Sequence, residues 1–172
     1  MVGGTLGLTT GGSLLYGIWL ASSPTGTINI HNNLIQNGAS FGVGTSGVSR
    51  GIYTGSTAGS GTYSVTNNTI INLTTDNGNT SQGNGQLGNV GIAITNGASN
   101  VISGNVIGNL SNTNTLSTSV NQGGISVAVA SNGTIFNNTI YGLSNTGVST
   151  STTAPSQVYG IFIRGGTGTL TV

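Results

Sequence analysis

Apart from its termini, this chain of 172 residues carries four groups that are charged or titrate near neutral pH: Asp76, His31, Arg50 and Arg164. Cleaving a glycosidic bond takes a pair of carboxylates that flank it. General acid–base catalysis takes a titrating group within reach of each proton it moves. With one Asp, one His and neither Glu nor Lys, no such pair can be assembled within a subunit. His31 has no Cys and no second His with which to share a metal ion, so it reads as a surface or hydrogen-bonded residue. Asp76-Asn77-Gly78-Asn79 has the outline of a calcium loop, but a tight site takes about 6–8 oxygen ligands, several of them acidic. That stretch reads as a turn. No catalytic, cofactor-binding or metal-binding residue is expected, and the chain is not expected to be an enzyme.

The same scarcity excludes other classes. Nucleic acid binding needs clustered Lys and Arg to neutralise phosphates, so no nucleic acid partner is expected. The longest apolar stretch, Leu14 to Ala21, is interrupted by Gly17 and is far short of the roughly 20 residues of a membrane span. No positive charge precedes it, so it is a poor signal peptide, and any export signal has been removed or lies outside this chain. The absence of Cys removes disulfides and thiolate chemistry together. Gly, Thr, Asn and Ser make up more than half of the chain, and the formal net charge is +1. So little charge favours association, which suits a protein that is glycosylated, embedded in an assembly or meant to be insoluble.

Binding surfaces are the remaining candidates. One outward row reads Trp19, Tyr53, Ala93, Ser126, Phe162; its aromatics could stack on sugar rings, pack against a neighbouring filament or simply be tolerated. Head-to-tail stacking would bring Phe162 beside Trp19 of the next copy. Arg50 and Arg164 flank this row with only Asp76 as an acidic partner. Thr-x-Thr pairs (Thr25/Thr27, Thr167/Thr169) do not share one register, which argues against an ice-binding face. Asn-x-Ser/Thr sequons stand at Asn67, Asn72, Asn79, Asn109, Asn132 and Asn137, with Asn79 and Asn132 the better placed acceptors.

The elements that hold these residues repeat. Gly-Ile recurs at Gly17, Gly51, Gly91, Gly124 and Gly160, at spacings of 34, 40, 33 and 36. Between anchors comes a second pattern centred on Asn33, Asn68, Asn105 and Asn138. Ile30, Val65, Ile102 and Ile135 stand three residues before it, and Ile35, Ile70, Ile107 and Ile140 two after. Gly38, Leu73, Leu110 and Leu143 stand five after. Ile18/Leu20, Ile92/Ile94, Ile125/Val127 and Ile161/Ile163 alternate with the period of a half-buried strand. Each repeat thus holds three short strands and one polar loop, with no helical period. Strands so short need stacked neighbours to bury their apolar face, around a narrow core of Ile, Val and Leu. The Asn falls at a bend, where it tolerates left-handed backbone and can ladder with the Asn one repeat above.

This pattern resembles the right-handed parallel β-helix repeats of pectin-lyase-like and related surface proteins, in which N-x-I recurs at a bend. The resemblance covers nearly the whole chain and implies an all-β fold: a right-handed parallel β-helix, or β-solenoid, of about five turns with three short strands per turn. It does not single out a function, because lyases, tailspikes, adhesins and structural proteins share that fold. Residues 1–172 read as a single domain. Thr169-Leu170-Thr171-Val172 aligns with a second strand, and the Gly3–Thr9 stretch with a third strand one residue short, so residues 1–12 could complete a neighbouring subunit. The expectation is a structural subunit of an extracellular or cell-surface fibre, sheath or appendage, joined head to tail to copies of itself. The alternative is a carbohydrate-binding or adhesin segment with a surface polysaccharide as partner; a polysaccharide lyase or hydrolase is the remote third.

Overall fold

In a computed structural model, the described residues are 2–7, 14–21, 25–41, 48–54, 61–76, 87–95, 97–114, 121–128, 132–146, 156–164 and 168–172. Runs of Ile, Val and Thr favour a pleated, half-buried backbone, and the described residues form strands and no helix. β1 (Val2–Gly7) comes first, followed by β2 (Leu14–Leu20), β3 (Thr27–His31) and β4 (Leu34–Phe41). Then come β5 (Val48–Thr54), β6 (Thr62–Thr66) and β7 (Thr69–Thr75), and after them β8 (Asn89–Ile94), β9 (Ser99–Ser103) and β10 (Val106–Asn112). β11 (Asn121–Ala128) and β12 (Asn132–Phe136) precede a divided strand, β13 (Thr139–Tyr141) and β14 (Ser144–Asn145); β15 (Gln157–Arg164) and β16 (Leu170–Thr171) close the series.

The strands sort into three parallel sheets. One runs β1-β4-β7-β10-β13 with β14 also on β10, the second β2-β5-β8-β11-β15 and the third β3-β6-β9-β12-β16. Every pairing joins corresponding segments of successive repeats, so Ile18 lies beside Ile52, Ile52 beside Ile92 and Ile92 beside Ile125. The chain is a parallel β-solenoid. Its closed turns are fewer than the five expected. Each sheet has a path of five strands, but among the described residues β1 has no companions in its own layer, and the layer of β15 and β16 has no third strand. Val2 pairs with Ile35 and Gly4 with Gly38, so β1 spans that step with one residue fewer than β4.

Ile52, Ile70, Ile92, Ile94, Ile102, Ile107, Leu110 and Ile125 are fully buried in one continuous core. The Gly of each Gly-Ile anchor lets two sheets close on each other. A Cβ on Gly51, Gly91 or Gly124 would come within 2.5, 2.5 and 2.7 Å of Cγ2 of Ile70, Ile107 and Ile140. Polar residues also enter the interior. Ser49, Asn89 and Gln122 are buried in one register row. Asn89 Nδ2 donates to Ser111 O at 3.0 Å, and Gln122 Nε2 donates to Leu110 O, tying the start of the second sheet to the end of the first.

The corners correct one expectation. Left-handed backbone and laddering were both expected of Asn33, Asn68, Asn105 and Asn138, but the structure divides them between neighbours. The preceding residues turn the chain: Asn32 (φ 57), Asn67 (φ 55), Gly104 (φ 65) and Asn137 (φ 53), types that adopt positive φ at least cost. Those three turning asparagines are exposed and cannot reach inward. The asparagine after each can.

Candidate functional site

The inner corner is a ladder of amides. Asn33 donates its backbone N–H and its Nδ2 to Asn68 Oδ1, at 3.0 and 2.9 Å. Asn68 does the same to Asn105, both at 3.0 Å, and Asn105 to Asn138, at 3.0 and 2.9 Å. In the three later asparagines an amide hydrogen also points back one layer: Asn68 Nδ2 to Ile30 O at 2.9 Å, Asn105 Nδ2 to Val65 O at 2.9 Å and Asn138 Nδ2 to Ile102 O at 2.8 Å. Both donors and both acceptor positions of Asn68 and Asn105 are used, as buried polar groups require. A second ladder runs along the outer corner, where Asn72 Nδ2 donates to Asn37 Oδ1 at 3.0 Å and Asn109 Nδ2 to Asn72 Oδ1 at 3.1 Å.

The outer face of the second sheet carries the aromatic row expected there. Trp19 pairs with Tyr53, Tyr53 with Ala93, Ala93 with Ser126 and Ser126 with Phe162. A parallel row, which the sequence analysis missed, consists of the residues before each anchor Gly: Tyr16, Arg50, Val90, Gly123 and Tyr159. A two-residue period hides it by placing the residue before the Gly on the face of the Ile; the structure turns Gly and Ile both inward, and so sends both flanks outward. Trp19, Tyr16 and Tyr53 form a stack with successive ring centroids 5.2 Å apart. Arg50 is buried, with its guanidinium carbon 4.1 Å from the Tyr53 ring centroid and 5.7 Å from that of Tyr16. Aromatic faces thus take the part expected of an acid partner, because a planar, weakly hydrated guanidinium stacks well on π surfaces. Burial pushes the Tyr16 hydroxyl pKa up; Arg50 opposes this and Tyr53 adds to it. Leu87, Val90 and Ala93 form a small second core outside the tube, with Tyr53, Tyr159 and Phe162 packed against it.

The other candidates stay scattered. His31 is exposed and bonds through Nδ1 to Asn32 Nδ2 at 3.1 Å. Asp76 follows β7 and donates its backbone N–H to Ser40 O at 3.3 Å; Asn77–Asn79 lie outside the described residues, as does Thr167. Arg164 ends β15. Among the described residues no three His, Cys, Asp or Glu gather into a group that could hold a metal, and no helix is long and apolar enough to cross a membrane. Asn67, Asn72, Asn109, Asn132 and Asn137 are exposed sequon positions. Asn79 lies outside the described residues. No family model, curated protein or solved structure matches the chain.

The two ends of the tube complete the inventory. At the β15–β16 end, Val158 and Ile163 are 46% and 48% exposed, although their columns are buried in the layers beneath. At the β2–β3 end, Leu14 is 52% exposed and Ile18, Leu20 and Ile28 are half-buried.

Proposed function

We propose that this chain is a structural subunit of an extracellular fibre, sheath or surface appendage, assembled head to tail from β-solenoid units, and that it is not an enzyme. The observation that carries this reading is the pair of apolar end faces, each bordered by strand edges that have no pairing strand among the described residues. An open strand edge templates the addition of another chain. A heterologous contact that does not close on itself produces a fibre rather than a ring, and so weakly charged a chain offers little repulsion to oppose it. The extracellular placement rests on the resemblance to surface solenoids. Electron microscopy of the purified protein tests the reading. Filaments with an axial rise near 24 Å per subunit are expected, since five parallel strands stack at about 4.8 Å each. Deleting residues 1–10 should shorten or abolish them while the remaining turns stay folded. Monodisperse monomers from the intact chain would overturn the fibre, and fibres of normal length from the deletion would overturn strand completion by β1.

A second reading, a carbohydrate-binding or adhesin segment, is supported by the Trp19–Tyr16–Tyr53 stack, since sugar rings pack on aromatic faces. Short separate rods that co-sediment with a surface polysaccharide, and lose it in Trp19→Ala, would favour it over the fibre.

A further inference from the structure

We infer that the aromatic pairs at opposite ends of the second sheet close on each other across the joint between subunits, so that Phe162 and Tyr159 of one copy cover Trp19 and Tyr16 of the next. The inference rests on the head-to-tail reading and adds the register of the joint. Both outer columns are aromatic at the two end layers, with Tyr16 and Trp19 on β2 and Tyr159 and Phe162 on β15. The layers of β8 and β11 carry only Val90, Ala93, Gly123 and Ser126 in these columns. Between the end layers these columns hold one aromatic, Tyr53 on β5, and it stacks on Tyr16 at 5.2 Å, so the rings gather toward the two ends.

The pairings fix where the rings would land. The second sheet aligns Ile18 with Ile52, Ile92, Ile125 and Ile161 in turn. Continuing that column from Ile161 of one copy to Ile18 of the next sets Tyr159 beside Tyr16 and Phe162 beside Trp19. It also sets Ile163, 48% exposed, against Leu20, and Val158 against Leu15. The ring geometry required already exists within the chain. Tyr16 reaches Tyr53 in the adjacent layer at 5.2 Å, and Tyr159 meets Phe162 at 4.7 Å, both inside the separation of about 4.5–7 Å that aromatic pairs prefer. Strand alternation alone does not determine this register, because a slip of two residues keeps every apolar side chain facing inward. Four rings meeting in one alignment do determine it.

Trp19 is the only tryptophan and is 56% exposed in the single chain, so its fluorescence reports on the joint. Emission should shift to shorter wavelength when dissociated subunits assemble. Phe162→Ala should raise the subunit concentration needed for assembly roughly tenfold, the loss of about 1.4 kcal/mol per joint, and should leave Trp19 emission in whatever assembles close to that of free subunits. Ile71→Ala, a half-buried side chain on β7 in an inner layer of the first sheet, should change neither, and circular dichroism of both variants checks that the turns remain folded. Fibres from the intact chain with unshifted Trp19 emission would overturn the aromatic joint and leave the fibre standing. Failure of the intact chain to form fibres at any concentration would overturn both.

Discussion

The inner layers of the solenoid and its end layers carry the same repeat, yet the same residue position does different work in each. Ile107 is fully buried, whereas Ile140, next in its column, is only half-buried. A Cβ on Gly91 would meet Ile107 Cγ2 at 2.5 Å and Gly124 O at 2.8 Å, whereas one on Gly160 would meet nothing within 4 Å. Apolar identity is therefore kept at the ends without the burial that justifies it in the middle. The further layer of the proposed head-to-tail joint would supply that burial.

Matched substitutions test this contrast, and the largest effect is expected in the core. Ile107→Asp places a carboxylate with no partner in a fully buried site and should cost roughly 3–5 kcal/mol, enough to prevent folding as judged by circular dichroism. Ile163→Asp should cost only about 1 kcal/mol in the single chain while blocking assembly. Equal losses would mean the end face is not an open core.

Next comes the inner ladder. Asn68→Ala removes the acceptor for the Asn33 N–H and a donor to Ile30 O, and each buried group left unsatisfied costs about 1–3 kcal/mol. Asn33→Ala leaves Asn68 Oδ1 still accepting the backbone N–H of residue 33 and should cost about 1 kcal/mol. Urea titration separates the two, and the order Asn33 above Asn68 would contradict the ladder.

Gly91→Ala should destabilise by about 1–3 kcal/mol through overpacking, whereas Gly160→Ala should stay within about 0.5 kcal/mol. Thermal unfolding of dissociated subunits measures both, and a large loss at Gly160 would show that its layer is already covered.

The smallest effect is a slope at alkaline pH. Burial raises the pKa of Tyr16 and of Tyr63 above the ordinary value. Below about pH 9 both hold their protons folded and unfolded and contribute no slope. Above about pH 10 the unfolded chain releases its protons first, so stability should fall as pH rises toward the folded-state values. Tyr16→Phe should flatten part of that decline, and a rise in stability across the same range would contradict the assigned burial.

Much of this architecture was legible because stacking forces each layer to repeat its chemistry. Gly-Ile marks where two sheets touch, and N-x-I marks where the chain turns inward, so both can be counted directly in the sequence. Alternation also points Tyr63 inward beside Val65. What it hides is compensation in volume, because the next two layers along that column carry Asn100 and then Gly133. The small core of Leu87, Val90 and Ala93 was not legible. Alternation puts Val90 on the inward face with Ile92 and Ile94, whereas Gly91 and Ile92 both face the core and Val90 turns out. The buried row of Ser49, Asn89 and Gln122 escaped for the opposite reason, since polar residues in a periodic strand read as solvent-facing. The number of closed turns was overestimated because counting strands of each kind does not show which of them share a layer.

The two asparagine ladders run in opposite directions along the axis. Inner amides donate toward the β15–β16 end, from Asn33 to Asn68 to Asn105 to Asn138, whereas outer amides donate toward the β1–β2 end, from Asn109 to Asn72 to Asn37. In an α-helix, aligned peptide dipoles add up to partial charges at the two ends. Here the two rows of side-chain dipoles offset each other, layer by layer. Where a layer carries both amides they contribute little axial dipole, so the proposed stack of this nearly uncharged chain would grow with little electrical difference between its tips.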